Sequence, residues 1–180
     1  AAFATQVREI LVSQSLAVDG FIYGSVYPYL GALISTLYGL LFEVTDTTVI
    51  IVLRLISISA TLVTAVVAGA MAKRHYSQEV GITSAALTLS TPLIYRWSIE
   101  IHPDLLQLCF LTCSLYAITE LSHTFSLRSV SLSGLFAGLA MGTKYGGAFL
   151  LPTITLALVL GTPGGLAAAF QSRRFWTGSV

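Results

Sequence analysis

The sequence predicts an all-α fold: a polytopic transmembrane helical bundle of about five spanning helices, with further helices lying at the membrane interface. Three observations predict it. Hydrophobic residues make up 55% of the chain and charged residues 9%, far from the roughly one-quarter charged residues of soluble domains. The apolar residues fall into runs of spanning length. Basic residues gather in the short breaks between those runs, as cytoplasmic loops of membrane proteins do. A formal net charge of +1 leaves no electrostatic footprint for nucleic acid and no polyacidic tail. Residues 1–180 therefore read as one membrane domain, with 1–45 as an outer-face loop and 46–180 as the spanning part. The chain opens without Met, a basic leader or a cleavage site, and reads as an internal piece of a longer protein.

Residues 1–20 alternate Phe3, Val7, Ile10, Leu11 and Leu16 with Gln6, Arg8, Glu9 and Gln14 at close to the helical repeat, which suits an interfacial helix or an ordinary surface helix. Asp19-Gly20 then forms a turn. Residues 21–42 are long enough to span, yet Gly24, Pro28 and the early tyrosines also fit an interfacial segment, and that reading is preferred. Residues 48–72 form a clear transmembrane helix of ~37 Å, ending in the basic Lys73-Arg74-His75 that marks the cytoplasmic side. Arg54 lies inside this run; it should snorkel outward, pair with Glu43 or Asp46, or bind an anionic ligand.

A second span, 79–95, is broken near Pro92 and delivers Arg96-Trp97-Ser98-Ile99-Glu100-Ile101-His102-Pro103-Asp104 to the outer face. Residues 105–121 return inward, and Arg128 follows on the cytoplasmic side. Cys109 and Cys113 stand one helical turn apart, where packing rather than a disulfide or metal role is expected. Residues 132–160 would measure ~43 Å as one helix, more than the ~30 Å hydrocarbon core, and would hold Lys144 at their centre. Two short helices meeting at Lys144 on the outer side avoid both problems, the alternative being one tilted helix; Arg173 and Arg174 then return inside. Gly134, Gly138 and Gly142 recur every four residues, a face on which a neighbouring helix or a membrane-protein partner can approach closely.

The polar bridge carries the candidate chemistry. If the backbone is extended over 99–104, Glu100, His102 and Asp104 share one side, and Pro103 starts the next helix with Asp104 in its first turn, where the dipole favours the carboxylate. Asp104, Glu100 and His102 are the candidate catalytic residues, able to orient a hydroxyl or receive its proton. Asp104 with His102 also suits a divalent cation, with oxygen ligands favouring Mg or Mn and the imidazole admitting Zn. A solvated loop with a capping Asp is the plainer reading. Arg96 and Lys144 fall on the same side and suit the phosphate of an anionic membrane lipid, or else serve as interfacial anchors.

The series Tyr27-Pro28-Tyr29-Leu30, Leu53-Arg54-Leu55, His102-Pro103-Asp104, Gly138-Leu139-Ala140 and Thr143-Lys144-Tyr145 resembles, in order and spacing, the GT-C-fold polyprenyl-phosphate-sugar-dependent glycosyltransferases, the group of protein O-mannosyltransferases and aminoarabinose transferases. The resemblance implies an integral, multi-pass enzyme of a bacterial inner membrane or its equivalent. Its site lies on the non-cytoplasmic face, a polyprenyl-phosphate-linked sugar is its donor, and the sugar carbon is inverted. Asp104 would match an acidic residue of the second outer loop and Lys144 a basic residue near the donor phosphate. The family's catalytic acid ends a first helix upstream of where this sequence starts. A non-catalytic membrane subunit packing in a larger complex, and a transporter with Lys144 in a broken helix, are the other classes open to the chain.

Overall fold

A computed structural model describes residues 2–15, 24–123 and 126–160, and these form helices with no strand among them. The turn expected at Asp19-Gly20 and the return of Arg173 and Arg174 lie outside the described residues. Helix α1, Ala2–Ser13, buries Val7 and Ile10, three residues apart on one face, and exposes Arg8 and Glu9 on the other. That is the predicted amphipathic helix. Helix α2, Val26–Gly39, turns Tyr27, Pro28, Gly31, Ala32 and Ser35 inward. Its 14 residues rise ~21 Å, short of the hydrocarbon core.

Helix α3, Asp46–His75, is the axis of the fold. Thr45 and Thr48 make a reciprocal capping box at its start. Asp46 stands in the first turn and Lys73, Arg74 and His75 in the last, so both ends complement the helix dipole. Among the described residues it is the one helix long and apolar enough to cross a membrane by length and composition. Arg54 lies on its exposed face beside Leu55, and it has no ion pair among the described residues, because Asp46 is taken by Arg8 at 3.0 Å.

Ser77 caps helix α4, Gln78–Ser90. Thr91 is extended, as a residue before proline should be, and Pro92 opens helix α5, Pro92–Ile99. Helix α6, Pro103–His123, runs back, and helix α7, Leu127–Thr143, follows from its N-cap Ser126. The helix ends at Lys144, whose backbone is extended at φ −158° and ψ 137°; a 3-10 turn, Tyr145–Phe149, then leads into helix α8, Leu150–Leu160. The chain breaks at Lys144 into two helices, as the length and the buried charge demanded.

One core joins α1, α2, α3 and α6 through Val7, Tyr27, Leu53, Ile56, Leu105 and Leu106; a second joins α7 and α8 through Ala137, Ala140, Leu150 and Ile154. Small hydroxyl residues fill the interior: Ser57, Thr61, Thr64, Ser114, Ser133 and Thr143 are buried. Thr61 and Thr64 donate to carbonyls four residues back, and Ser114 donates across to the Ser133 carbonyl at 2.9 Å. Ile51, Leu55, Ile58, Leu62 and Val66 of α3 are meanwhile exposed. Hydroxyls inside and aliphatics outside is the distribution expected where lipid is the solvent.

Helices α3 and α4 meet closest at Gly69 and Gly81, where a Cβ on Gly81 would lie 2.8 Å from the Gly69 carbonyl oxygen and 2.8 Å from Lys73 Cβ. The tight crossing expected on α7 is not found at Gly134 or Gly138: nothing among the described residues lies within 4 Å of a Cβ built at either, and only Gly142 of that series meets a neighbour, Val26. Spacing marks a smooth face but does not supply its partner. Gly81→Ala should destabilise the protein by about 1–3 kcal/mol through overpacking. A detergent-solubilised variant with the wild-type thermal midpoint would show that the crossing has slack.

Candidate functional site

The site grows from two helix ends. Pro103 starts α6, so Asp104 falls in the first turn, where unpaired backbone N–H groups favour a carboxylate. Forty residues on, the end of α7 presents Lys144. Its N–H donates to the Ala140 carbonyl at 3.0 Å, while its own carbonyl accepts from Gly147 N–H at 2.9 Å and from Gln107 Nε2 at 3.1 Å. With its backbone held from both sides, Lys144 extends Nζ to Asp104 Oδ1 at 2.5 Å. The carboxylate is 19% exposed and the lysine side chain 36%, so this pair is far better shielded than an ordinary surface bridge.

His102 completes the cluster. Its Nδ1 stands 2.9 Å from Asp104 Oδ2, close in distance but too poorly aligned for a hydrogen bond, which leaves that buried nitrogen without another partner. The imidazole lies flat on Trp97, with centroids 4.4 Å apart and planes within 3°. From below, the Ser57 hydroxyl of α3 contacts the His102 backbone, 3.4 Å from its carbonyl oxygen and 3.5 Å from its nitrogen. Tyr27 of α2 donates to the Leu53 carbonyl at 3.0 Å and lies 3.1 Å from Ser57 Oγ. Burial pushes the Tyr27 phenol up to about 12, so it remains a neutral hydrogen-bonding prop at physiological pH.

Of the residues expected here, Asp104, His102 and Lys144 come together, while Glu100 and Arg96 pair with each other at 3.4 Å on the exposed side. The cause is the length of α5. It stays helical through Ile99, so Glu100 meets Arg96 at the i,i+4 spacing instead of joining the extended strand side of His102 and Asp104. The extended stretch is correspondingly shorter than 99–104, since α5 takes its first residue and α6 its last two.

The described residues contain no group of three His, Cys, Asp or Glu side chains placed to hold a metal ion. His102 Nδ1 faces Asp104 Oδ2 at 2.9 Å, while the Lys144 ammonium occupies the other carboxylate oxygen, Oδ1.

The residues that composition and spacing missed are Trp97, Tyr27, Ser57 and Gln107. Trp97, placed five residues before His102 across a helix end, was the readable signal; Ser57 and Gln107 carry none, since an interior Ser or Gln on an apolar helix more often satisfies its own backbone.

Comparison with known proteins adds the family. No curated protein and no solved structure matches the chain. Residues 26–180 match the family model of dolichyl-phosphate-mannose-protein mannosyltransferases, a stretch that contains Tyr27, Ser57, the Trp97–Asp104 bridge and Lys144. The chain thus belongs to the dolichyl-phosphate-mannose-protein mannosyltransferase family, a family of integral membrane glycosyltransferases.

Proposed function

We propose that the chain forms all or part of a GT-C-type glycosyltransferase that moves a sugar from a polyprenyl-phosphate donor to an acceptor at the non-cytoplasmic membrane face. The observation that carries this is the shielded Asp104–Lys144 pair, built where α6 begins and α7 breaks, within the family match. In the reaction, the acceptor oxygen bonds to the sugar carbon as the bond from that carbon to the phosphate oxygen breaks. The acceptor's proton passes to a carboxylate, and polyprenyl phosphate departs with one more negative charge than it carried in the donor. An ammonium fixed beside the departing oxygen gains strength as that charge develops, which is the form of stabilisation that accelerates the step. Asp104 holds the Lys144 ammonium through Oδ1 and acts as its positioning residue, with His102, stacked on Trp97, standing 2.9 Å from Oδ2. Arg96 and Glu100, exposed together, are placed to meet the donor phosphate and the acceptor at the rim.

The grouping of the helix ends supports a membrane arrangement. Arg74 pairs with Glu120, bringing together the ends of α3 and α6 that lie near Arg128, while Asp104 and Lys144 join the opposite ends of α6 and α7. With α3, the bent α4–α5, α6, α7 and α8 as five spans, basic residues fall on one face and the site on the other. Arg54 then lies 19 residues before Lys73, ~28 Å along the helix and so at the outer boundary of the core, where a lone arginine is tolerated. Cysteines substituted at Glu100 and Lys73 should react with impermeant reagents from opposite faces; reaction from one face would overturn the orientation.

Transfer itself is tested on the full-length protein in proteoliposomes with a labelled polyprenyl-phosphate sugar. Asp104→Asn should lower the rate strongly and leave the thermal midpoint near that of the wild type; an unchanged rate would remove the assignment. The open Gly134 and Gly138 face supports a second reading, a non-catalytic subunit packed in a larger complex, for which the wild type would show no transfer and would purify with a partner.

A further inference from the structure

We infer that the crevice between the ends of α3, α6 and α7 opposite the Asp104 site binds one anionic phospholipid, its phosphate at Arg128 and an acyl chain running toward Phe136. This rests on the membrane reading above and not on the transferase chemistry. The crevice has a volume of ≈ 610 Å³, within the roughly 300–1,000 Å³ of small-molecule sites.

Its three walls share one gradient. On α6 the lining runs from Glu120 to Cys113, ~10 Å, and on α7 from Arg128 and Ser129 to Phe136, ~12 Å. On α3, Val67 lines the apolar end, and Arg74, ~10 Å further along the helix, forms an ion pair with the lining residue Glu120. Charge and hydroxyls thus sit at one depth on the helices and aliphatic, thiol and aromatic groups at another.

The pairing of Glu120 with Arg74 neutralises the one acid in the lining, whereas exposed Arg128 has no ion pair among the described residues. A cation, a serine hydroxyl and an apolar groove of ~12 Å beneath them complement a phosphate diester and the upper part of its hydrocarbon chain. A free phosphate would leave the apolar half unused, and a helix would bury Arg128 without a counter-charge.

The test is native mass spectrometry of the full protein in detergent with added phosphatidylglycerol, phosphatidylcholine or inorganic phosphate. The wild type should retain one phosphatidylglycerol beyond its phosphatidylcholine count, and inorganic phosphate should not displace it. Arg128→Gln should weaken that retention about fivefold, the effect of one interfacial charge, and Arg128→Lys should largely restore it. Equal retention of the two lipids, wild-type retention by Arg128→Gln, displacement by inorganic phosphate or a bound polypeptide in place of lipid would each overturn the proposal. Lys144→Ala should keep the lipid; lost transfer with retained lipid separates the two sites.

Discussion

Lys144→Ala should lower sugar transfer by about 10²- to 10³-fold, the loss expected when one preorganised donor to a developing oxyanion is removed. The expectation rests on how firmly the residue is held. Its backbone is tied to Ala140, Gly147 and Gln107, so the ammonium is aimed before the donor arrives and little reorganisation accompanies the step. Truncation also leaves Asp104, 19% exposed, beside the His102 ring with no cation, and a shielded unpaired charge is costlier than the exposed bridges elsewhere in the protein. Rate loss should therefore come with a modest drop in thermal midpoint. A loss confined to apparent donor affinity, with an unchanged maximal rate, would mean that Lys144 binds the donor and its transition state equally.

Gly147→Ala should be among the most damaging single-methyl changes at the described glycines. A Cβ there would run into the backbone of Ala140 and Met141, because the 3-10 turn doubles back on the last turn of α7, and backbone cannot yield as a side-chain tip can. Its N–H also holds the Lys144 carbonyl at 2.9 Å. We expect a loss at or above about 3 kcal/mol, the upper range of overpacking, accompanied by loss of transfer. Gly138→Ala is the control. It meets open space on an exposed helix face and should be neutral or slightly stabilising. Equal thermal midpoints for the two variants would contradict the turn.

Helix breaks were the most legible part of the fold. The break near Pro92, the helix start at Pro103 and the break at Lys144 were all readable from proline and charge, whereas the caps Thr45, Ser77 and Ser126 were not picked out, and α7 starts at Leu127 although its apolar run begins only at 132. Pairing was less legible. Of the expected face Gly134, Gly138 and Gly142, only Gly142 meets a close neighbour among the described residues, whereas the close α3–α4 crossing at Gly69 and Gly81 lies on two separate helices and no repeat within either one announces it.

The same holds for the site. Membrane parity put Asp104 and Lys144 on one face before any contact was known, whereas Glu100 was lost to Arg96 by a single residue more of helix than expected. The prop from Tyr27 through Ser57 to His102 joins α2, α3 and the link before α6, and local sequence carries no trace of such a connection.

The most direct measurement is a double-mutant cycle of transfer rates for the wild type, Asp104→Asn, Lys144→Ala and the double variant. Acting as one unit, the pair should give a double variant no slower than Lys144→Ala alone, because Asp104 works through the lysine it holds. Wild-type rates in both single variants, or losses that simply multiply in the double, would contradict a site built on this pair.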